Sequence, residues 1–404
     1  PSKDNSDYWE DGTIPWYRME DIRDTGRKLQ EAKQYITEEA VKGGGLFDAG
    51  SFILATTATI GEHALLIVDS LANQRFTNLK IRKSLSNILS RDYFFYYLFV
   101  IDDYCKATTK TSTFPAVSME LLKNCHIVFP SFCEQTAIAA YLDTHCAKID
   151  NLISIQQKRI ALLQELKQSV ITHAVTKGQN PNVEMKQSGV EWIGDVPKHW
   201  EVCKLKHYSQ VFGRIGFRGY NQTDLVNEGE GAITLSPSNM QNGILNYDKC
   251  SYLSWKKYYE SPEIMIYNDD VLFVKTGSTY GKISYVADLP MEATINPQIV
   301  VFKNIKGNNK YLYYLLSNDI VQMQVSLTVG GSTIPTLSQE SILNYIVPLA
   351  PKVEQAAIAS YLDHKCATID TSISNAQHQI ELLQEYKQSL ITEVVTGKRK
   401  VTDN

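Results

Sequence analysis

The sequence lacks the cysteine patterns of a metal site and of a disulfide framework. Its cysteines are seven, an odd number, and they form no Cys-x-x-Cys pair; they stand at positions 105, 125, 133, 146, 203, 250 and 366. This usage predicts reduced, mostly buried thiols in a cytoplasmic protein. No apolar run reaches the ~18 residues that a membrane span needs, and no signal peptide opens the chain. We therefore expect no membrane partner.

The sequence also lacks a large excess of charge of either sign. Forty lysine and arginine residues stand against 44 aspartate and glutamate residues, which gives a formal net charge of −4. This balance excludes a uniformly basic coat, so a polyanion would have to meet a local patch or a second subunit. With 43% hydrophobic residues over 404 positions, the composition predicts a folded chain of two or three domains.

Catalytic motifs are missing from the whole sequence. The segment 277–282 has one residue too few between its glycines for a phosphate-binding loop, and no Ser or Thr follows Lys282. The segment 296–298 is not a motif that would hold a flipped base for methylation. No nucleophile motif centred on Ser or Cys occurs either. These absences predict a binding protein with no catalytic residues, no metal and no cofactor.

What the chain does contain is an internal repeat. Residues 134–176 align without a gap to residues 354–396 at a constant offset of 220, and 27 of these 43 positions are identical. Shorter matches lie upstream: 59–61 with 279–281, 112–115 with 332–335, and 93–98 with 311–316 after a two-residue slip. Cys146 recurs as Cys366 whereas His145 does not recur, which favours core packing over metal binding. The chain therefore has two halves, each a variable body followed by a near-invariant tail.

Each tail is predicted to form one long amphipathic helix. Apolar side chains recur every three or four residues, at Ile149, Ile153, Ile160, Leu163 and Val170 and again 220 residues later, and Leu162 and Leu166 widen the stripe. A helix over about 146–176 would be roughly 45 Å long at 1.5 Å per residue. Because such a stripe must be covered, we expect the two tails to pack as an antiparallel pair. The alternative is that each tail packs on its own body.

The bodies are predicted to mix strands and helices. Four short apolar runs are typical of buried strands, namely 52–55, 64–68, 271–274 and 298–302. Glycine clusters at 43–45, 242–243 and 330–331 predict turns, and the polar stretch 178–182 predicts a linker.

Several segments resemble the DNA-specificity subunit of Type I restriction-modification systems. Residues 188–200 are similar to the opening of that family's target-recognition domain, and 13–16 with Asp21-Ile22 are similar to the block that follows it. Pro351, 354–359 and 361–363 resemble the entry to its conserved helices. The resemblance implies an α+β fold, in which two globular mixed α/β target-recognition domains are separated by two long helices. These helices would pack as an antiparallel coiled-coil-like pair, with a pseudo-two-fold internal repeat.

The resemblance also implies domain boundaries. A first target-recognition domain would cover 1–130, a helical spacer 131–178, a linker 179–187, a second recognition domain 188–350 and a second spacer 351–397. The first half has no counterpart of 188–212, so we expect roughly 20 to 30 native residues before Pro1. Without them, the first body would be incomplete and would expose an edge strand.

For function, the resemblance implies a non-catalytic subunit that reads a bipartite double-stranded DNA target, with one half-site per domain. Its partners would be two methyltransferase subunits and the motor-nuclease restriction subunits. Two readers on one face of B-DNA stand about 34–36 Å apart, and the predicted helices have the right order of length to set that spacing. One alternative is a duplicated protein adaptor without DNA specificity. Another is an enzyme with unrecognised catalysis, which would need a polar cluster in both bodies.

Candidate DNA contacts follow from residue type and position in turns. In the first body they lie in the Thr-Gly turn shared by both halves and in a polar stretch after a strand: Thr57, Thr59, Asn73, Gln74 and Arg75. In the second body they lie in the matching turn and in a glycine-flanked segment: Lys275, Thr276, Ser278, Thr279, Tyr280, Arg214 and Arg218. For each residue, surface solvation or turn structure is the alternative role.

Overall fold

The chain divides into two compact units. The computed structural model describes residues 4–41, 43–109, 116–214, 216, 219–241, 243–329 and 335–401. Unit 1 contains Pro1–Lys158 and Gln377–Asn404, and unit 2 contains Arg159–Ala376. Each unit therefore holds one variable body together with parts of both tails. Among the described residues, no helix combines the length and the apolar character that a membrane crossing requires.

Unit 1 contains two small sheets. Its elements are β1 Ile14–Tyr17, α1 Met19–Thr25, β2 Lys28–Leu29, β3 Tyr35–Ile36, β4 Phe52–Ala55, β5 His63–Leu66, β6 Leu71–Ala72, β7 Phe76–Leu79, α2 Arg91–Thr108, α3 Met119–Lys123 and the first part of α4, Phe132–Lys177. In one sheet β1 lies between β3 (antiparallel) and β6 (parallel). The other has the order β2-β5-β4-β7, with β4 antiparallel to both neighbours.

Unit 2 contains two four-stranded sheets and three two-stranded ones. Its elements are β8 Met185–Gln187, β9 Asp195–Pro197, β10 Glu201–Lys204, β11 Gln210–Gly213, β12 Leu225–Val226, β13 Gly231–Leu235, β14 Met240–Gln241, β15 Ile244–Leu245, β16 Ser251–Ser254, α5 Trp255–Tyr259, β17 Val271–Val274, β18 Ile283–Tyr285, β19 Ala293–Ile295, β20 Ile299–Lys303, α6 Asn309–Ser317, α7 Asp319–Val329, α8 Gln339–Leu343, β21 Ile346–Leu349 and the first part of α9, Lys352–Val395. The larger sheets have the orders β12-β16-β13-β19 and β11-β20-β17-β18, and the small ones are β8-β9, β10-β21 and β14-β15.

The two bodies share their sheet topology although their sequences differ. Like β1, β13 lies between an antiparallel neighbour (β16) and a parallel one (β19). Like β4, β17 lies between two antiparallel neighbours, β18 and β20. The turn after each central strand is closed in the same way, by Ala55 N donating to Glu62 O (2.8 Å) and by Val274 N donating to Lys282 O (2.9 Å). The predicted strand runs are confirmed, and the repeat extends into the bodies.

Both tails are single long helices, as predicted, but they are longer than the sequence estimate. α4 has 46 residues and α9 has 44, which corresponds to about 69 and 66 Å at 1.5 Å per residue. The predicted start near residue 146 was wrong, because Ile138 and Leu142 continue the apolar spacing towards the N-terminus and are buried.

The tail helices lie antiparallel within a unit. In unit 2, Lys167 Nζ lies 2.7 Å from the Asp370 carboxylate, and Gln179 Nε2 donates to Ala357 O over 3.1 Å. A step of 12 residues forward in one segment is thus a step of 13 backward in the other. The alternative packing is also present, because buried residues of α4 and of α2 belong to one core cluster in unit 1. The predicted α+β class, internal repeat and antiparallel long helices are confirmed, and each helix also packs on a body.

A structural reason for the near-identity of the tails is that identical residues bind equivalent parts of the two bodies. Gln355 is buried; its Oε1 accepts from Asn308 N (3.0 Å) and its Nε2 donates to Ala350 O (2.7 Å). Gln135, its counterpart, is also buried, and its Oε1 accepts from Ser90 N (2.7 Å). Asn308 and Ser90 are the N-caps of α6 and α2. The same glutamine therefore ties a tail to the start of the body's main helix in each unit.

All seven cysteines are free, as the sequence predicts. Cys146 and Cys366 lie buried in the tail helices, which confirms their core role, and burial raises the pKa of the Cys146 thiol to about 11. The expectation that the thiols are mostly buried was too broad, because Cys133 is exposed and three others are only half-buried.

Candidate nucleic-acid interface

In unit 1, two turns that carry predicted contact residues lie side by side. The first turn, residues 56–61, joins β4 to β5, and the second, residues 73–75, joins β6 to β7. Thr56 N donates to Arg75 O (3.0 Å), and the hydroxyls of Thr56 and Thr77 are 3.0 Å apart. The structure therefore brings together Thr57, Thr59 and the Asn73–Arg75 stretch, which are separated by 14 or more residues in the sequence. We call these two segments the turn pair of unit 1.

The polar stretch after β6 is a tight turn that exposes two side chains. Asn73 Oδ1 accepts from Arg75 N (3.0 Å), and Phe76 N donates to Asn73 O (3.1 Å). Asn73 therefore shapes the turn with its own amide, whereas Gln74 and Arg75 are exposed. Among the described residues, no ion pair occupies the Arg75 guanidinium. Gln74 and Arg75 are free to contact a ligand.

The turn between β4 and β5 rests on a buried polar cluster. Gly61 has φ +75°, and a Cβ there would lie 2.5 Å from Asp102 O, so only glycine fits. His63 Nδ1 and Arg27 Nη1 both lie 2.7 Å from Asp102 Oδ2. Burial alone would raise the pKa of Asp102, but His63 and Arg27 hold it below its ordinary value. Thr57 and Thr59, both half-buried, are thus carried by a fixed turn.

Unit 2 contains an equivalent turn between β17 and β18. Lys275 N donates to Gln298 O (2.7 Å), just as Thr56 N donates to Arg75 O in unit 1. Of the five residues predicted here, Ser278 and Thr279 are exposed, while Lys275, Thr276 and Tyr280 are half-buried. Tyr280 N donates to Gly277 O (3.1 Å) within the turn. All five therefore lie on one short loop that faces solvent.

The neighbouring turn in unit 2, residues 296–298, was missed by sequence reasoning. Asn296 Oδ1 accepts from Gln298 N (3.0 Å) and Ile299 N donates to Asn296 O (3.2 Å), the same two bonds that shape the Asn73 turn. Pro297 and Gln298 are exposed. The signal was an Asn three residues before a strand in both bodies, but its offset is 223 rather than 220. The turn pair of unit 2 is therefore 275–280 with 296–298.

Arg214 does not lie at this loop surface. Its side chain is buried, with Nε donating to Ile295 O (3.2 Å) and Nη2 donating to Thr294 Oγ1 (3.1 Å). Burial lowers the pKa of its guanidinium, and the guanidinium carbon lies 5.2 Å from the ring centre of Tyr220. The glycines that flank Arg214 suggested close approach to DNA, but its donors are used inside the body. Arg218, the other arginine of this segment, lies outside the described residues.

The comparisons with known proteins agree with the repeated architecture. The family described as "Type I restriction modification DNA specificity domain" matches residues 1–165 and 197–382. The chain belongs to this family. Two separate matches in one chain correspond to the two halves of the internal repeat.

Similar proteins include two named specificity subunits. The Type I restriction enzyme EcoprrI specificity subunit of Escherichia coli is 46% identical over 123 residues, which cover 30% of this chain and 31% of that protein. The match thus spans less than a third of that relative. The MjaIX specificity subunit of Methanocaldococcus jannaschii is 26% identical over 415 residues, which cover 100% of this chain and 90% of the relative.

Solved structures show the same fold. A chain from a study of complex assembly and conformational transition of the type I R-M system has a TM-score of 0.71 at 14% identity, covering 95% of this chain and 91% of its own length. The HsdS subunit from Thermoanaerobacter tengcongensis has a TM-score of 0.50 at 15% identity, covering 96% and 91%.

Proposed function

We propose that this chain is the specificity subunit of a Type I restriction-modification complex and that each unit reads one half of a bipartite double-stranded DNA target. The observation that carries the proposal is the turn pair, which has the same main-chain hydrogen bonds in both units but different exposed side chains. A constant frame with variable side chains is what two readers of different sequences need. As recognition domains we propose 1–130 and 188–350, with spacers at 131–178 and 351–397 and a linker at 179–187.

The exposed side chains at equivalent turn positions predict different base preferences. Arg75 occupies the position that Gln298 occupies in unit 2, since each is two residues after the turn asparagine. Arginine bonds the O6 and N7 acceptors of guanine, whereas glutamine bonds the N6 and N7 edge of adenine. We assign a guanine contact to Arg75 and an adenine contact to Gln298.

The remaining turn residues fit backbone contacts. Thr57, Thr59, Ser278 and Thr279 carry hydroxyls, and Lys275 carries a charge; such groups bond phosphate oxygens and set the register of the protein on the duplex. Asn73, Thr276 and Tyr280 support the turns. Because the whole chain has a net charge of −4, we expect weak binding to DNA by the chain alone.

The proposed protein partners are two methyltransferase subunits, which would bring in the motor-nuclease restriction subunits. Leu162 and Leu166 were expected in the packed stripe, but they are 64% and 49% exposed. Their counterparts 220 residues later, Leu382 and Tyr386, are 50% and 49% exposed. An i, i+4 apolar pair at equivalent sites of both helices provides two similar docking sites. Binding at these sites would supply the positive charge that the chain lacks, in the cytoplasm where the target DNA lies.

The test is to reconstitute the chain with Type I methyltransferase subunits and to sequence the methylated sites of a random duplex pool. We expect a bipartite consensus that changes in one half when unit 1 is altered at Arg75 and in the other half when unit 2 is altered at Gln298. A duplicated adaptor is the second candidate, favoured by the repeated exposed apolar pair. It predicts a stable complex with the partners and no sequence preference in a gel shift on the same pool.

A further inference from the structure

Equivalent edges of the two units differ in their cover. In unit 2, β21 is paired and Val347 is fully buried. The counterpart segment of unit 1, residues 125–129, lies 220 positions earlier and forms no strand. There, Ile127, Val128 and Phe129 are 36%, 66% and 44% exposed. Three consecutive apolar side chains at a surface are expensive to leave in water, so this edge is a candidate interaction site.

The cover in unit 2 is an extended segment, residues 199–205. Its strand β10 pairs antiparallel with β21, placing Glu201 opposite Leu349 and Cys203 opposite Val347. The preceding Trp200 is 1% exposed. Its indole Nε1 donates to the Glu354 carboxylate at the start of α9 over 3.0 Å. The cover therefore combines main-chain pairing with one anchored tryptophan.

Unit 1 presents the matching half of each interaction. On one side of the segment, Val128 N donates to the Tyr97 hydroxyl (3.1 Å) and Val128 O accepts from the Tyr93 hydroxyl (2.9 Å). Because alternate residues of an extended chain face opposite sides, the main-chain groups of Ile127 and Phe129 face away from these tyrosines. Within the described part of unit 1, neither residue has a main-chain hydrogen-bond partner.

The anchor position is also present in unit 1. Glu134 is the counterpart of Glu354, 220 residues earlier, and it is exposed at the start of α4. In unit 2 the same carboxylate holds both the indole of Trp200 and the imidazole of His199 (2.6 Å). An extended ligand with a tryptophan before its strand would find the same acceptor here.

We propose that residues 125–129 of unit 1, together with Glu134, form a docking edge for an extended polypeptide strand with the chemistry of residues 199–205. Such a strand has a tryptophan anchor followed by alternating apolar and polar side chains. The strand adds to the edge antiparallel to 126–129, bonds the main chain of Ile127 and Phe129, covers Ile127 and donates its indole N–H to Glu134. This is strand addition to an open edge. The occupant is chosen by the second copy of the same edge within the chain, where such a strand is seated.

A peptide with the sequence of residues 199–206 and Cys203→Ser tests the proposal. It is labelled and titrated into the full chain, and its anisotropy is followed while amide hydrogen exchange reports on residues 125–129. We expect saturable one-to-one binding and slower exchange at 127 and 129. Trp200→Ala in the peptide should weaken binding about tenfold, because the anchor and its hydrogen bond are lost.

Two proline variants of the chain form a matched pair. Phe129→Pro removes an outward N–H and should weaken peptide binding about tenfold. Val128→Pro copies Pro348 of β21 and removes only the inward bond to Tyr97, so binding should stay within about threefold. Glu134→Ala, an exposed change, should weaken binding severalfold without affecting folding.

Several results would overturn the proposal. They are the absence of saturable binding at millimolar peptide, equal binding of a scrambled peptide, or equal affinity of Phe129→Pro and Val128→Pro. Self-association of the chain that Phe129→Pro abolishes would make a second copy the occupant instead. No arm of the experiment uses DNA, so its outcome is independent of the proposed reading function.

Discussion

Lys167 and Asp370 form an ion pair of 2.7 Å between the two tail segments of unit 2. Lys387 and Asp150, which are their counterparts after exchange of the two halves at the offset of 220, form the same pair at 2.6 Å in unit 1. All four residues belong to the near-invariant repeat. One pair of residue types therefore specifies the antiparallel register twice, once in each unit.

Charge reversal tests this register. Lys387→Glu should lower the free energy of unfolding by about 0.5–1 kcal/mol, because the pair is half-exposed and its new partner charge repels. Lys387→Glu with Asp150→Lys should recover most of the loss, since the pair is re-formed in reverse. A double-mutant cycle of urea unfolding measures the coupling. A coupling of zero contradicts a role in setting register, and Lys398→Glu, outside the helices, is the control.

The buried tail glutamine is predicted to matter more than the ion pair. Gln355→Ala removes a group that accepts from Asn308 N and the Tyr208 hydroxyl and donates to Ala350 O. Because these partners remain buried without a bond, we expect a loss of about 2–4 kcal/mol in unfolding free energy. Gln388→Ala, whose amide bonds an exposed Asp103 carboxylate, should change stability by less than about 0.5 kcal/mol. Equal effects in urea titrations would refute the capping role.

Substitutions at Arg75 should change which sequence is read rather than how tightly DNA is held. Arg75→Ala should reduce discrimination in one half-site by about 1–3 kcal/mol, since a bidentate base contact is lost. Arg75→Gln should shift the preference there from guanine towards adenine. Methylated-site sequencing measures both. Arg82→Ala, an exposed arginine beyond β7, is the matched control and should leave the consensus intact.

Shortening both long helices should shorten the target's nonspecific gap. Deletion of 155–161 and 375–381, which are equivalent heptads, makes each helix shorter by about 10 Å while nearly preserving its face. At about 3.4 Å per base pair, the gap should lose about three base pairs. The readout is the spacing between methylated half-sites. An unchanged gap with intact half-sites would remove the helices from any role in spacing.

Acidification should weaken unit 1 through His63. Burial lowers the pKa of His63 below its ordinary value of 6.5. As the pH falls through 6.5 the unfolded chain takes up a proton that the folded chain does not, so stability is present above this pH and lost below it. Between pH 7.5 and 5.5 the loss should reach about 1 kcal/mol. Urea midpoints at the two pH values measure it.

Two histidine variants isolate this contribution. His63→Gln should show a smaller decrease between the two pH values, because no titrating group remains beside Asp102. His173→Gln, at an exposed position, should behave like the parent chain. Identical decreases in all three proteins would assign the acid sensitivity to other groups.

Much of the architecture could be predicted because repetition and periodicity are local properties of a sequence. The 220-residue repeat, the two amphipathic tails and the strand at 52–55 follow from residue order alone. The candidate interface was predicted in part: the shared Thr-Gly turn was found, but Asn296 and Gln298 were not, since loop lengths shift their offset. Arg214 was misassigned because neighbouring glycines say nothing about burial.

By itself, the sequence determined that this protein has two related halves with long helical tails, because identical residues at identical spacing must form the same secondary structure. Only the tertiary structure decided which residues of those halves are exposed. It turned Leu162 and Leu166 away from the packed stripe, brought Arg75 beside Thr56, and left Ile127–Phe129 without the strand that covers Val347. The physical reason is that burial and neighbourhood depend on contacts between residues far apart in the chain, which no local pattern encodes.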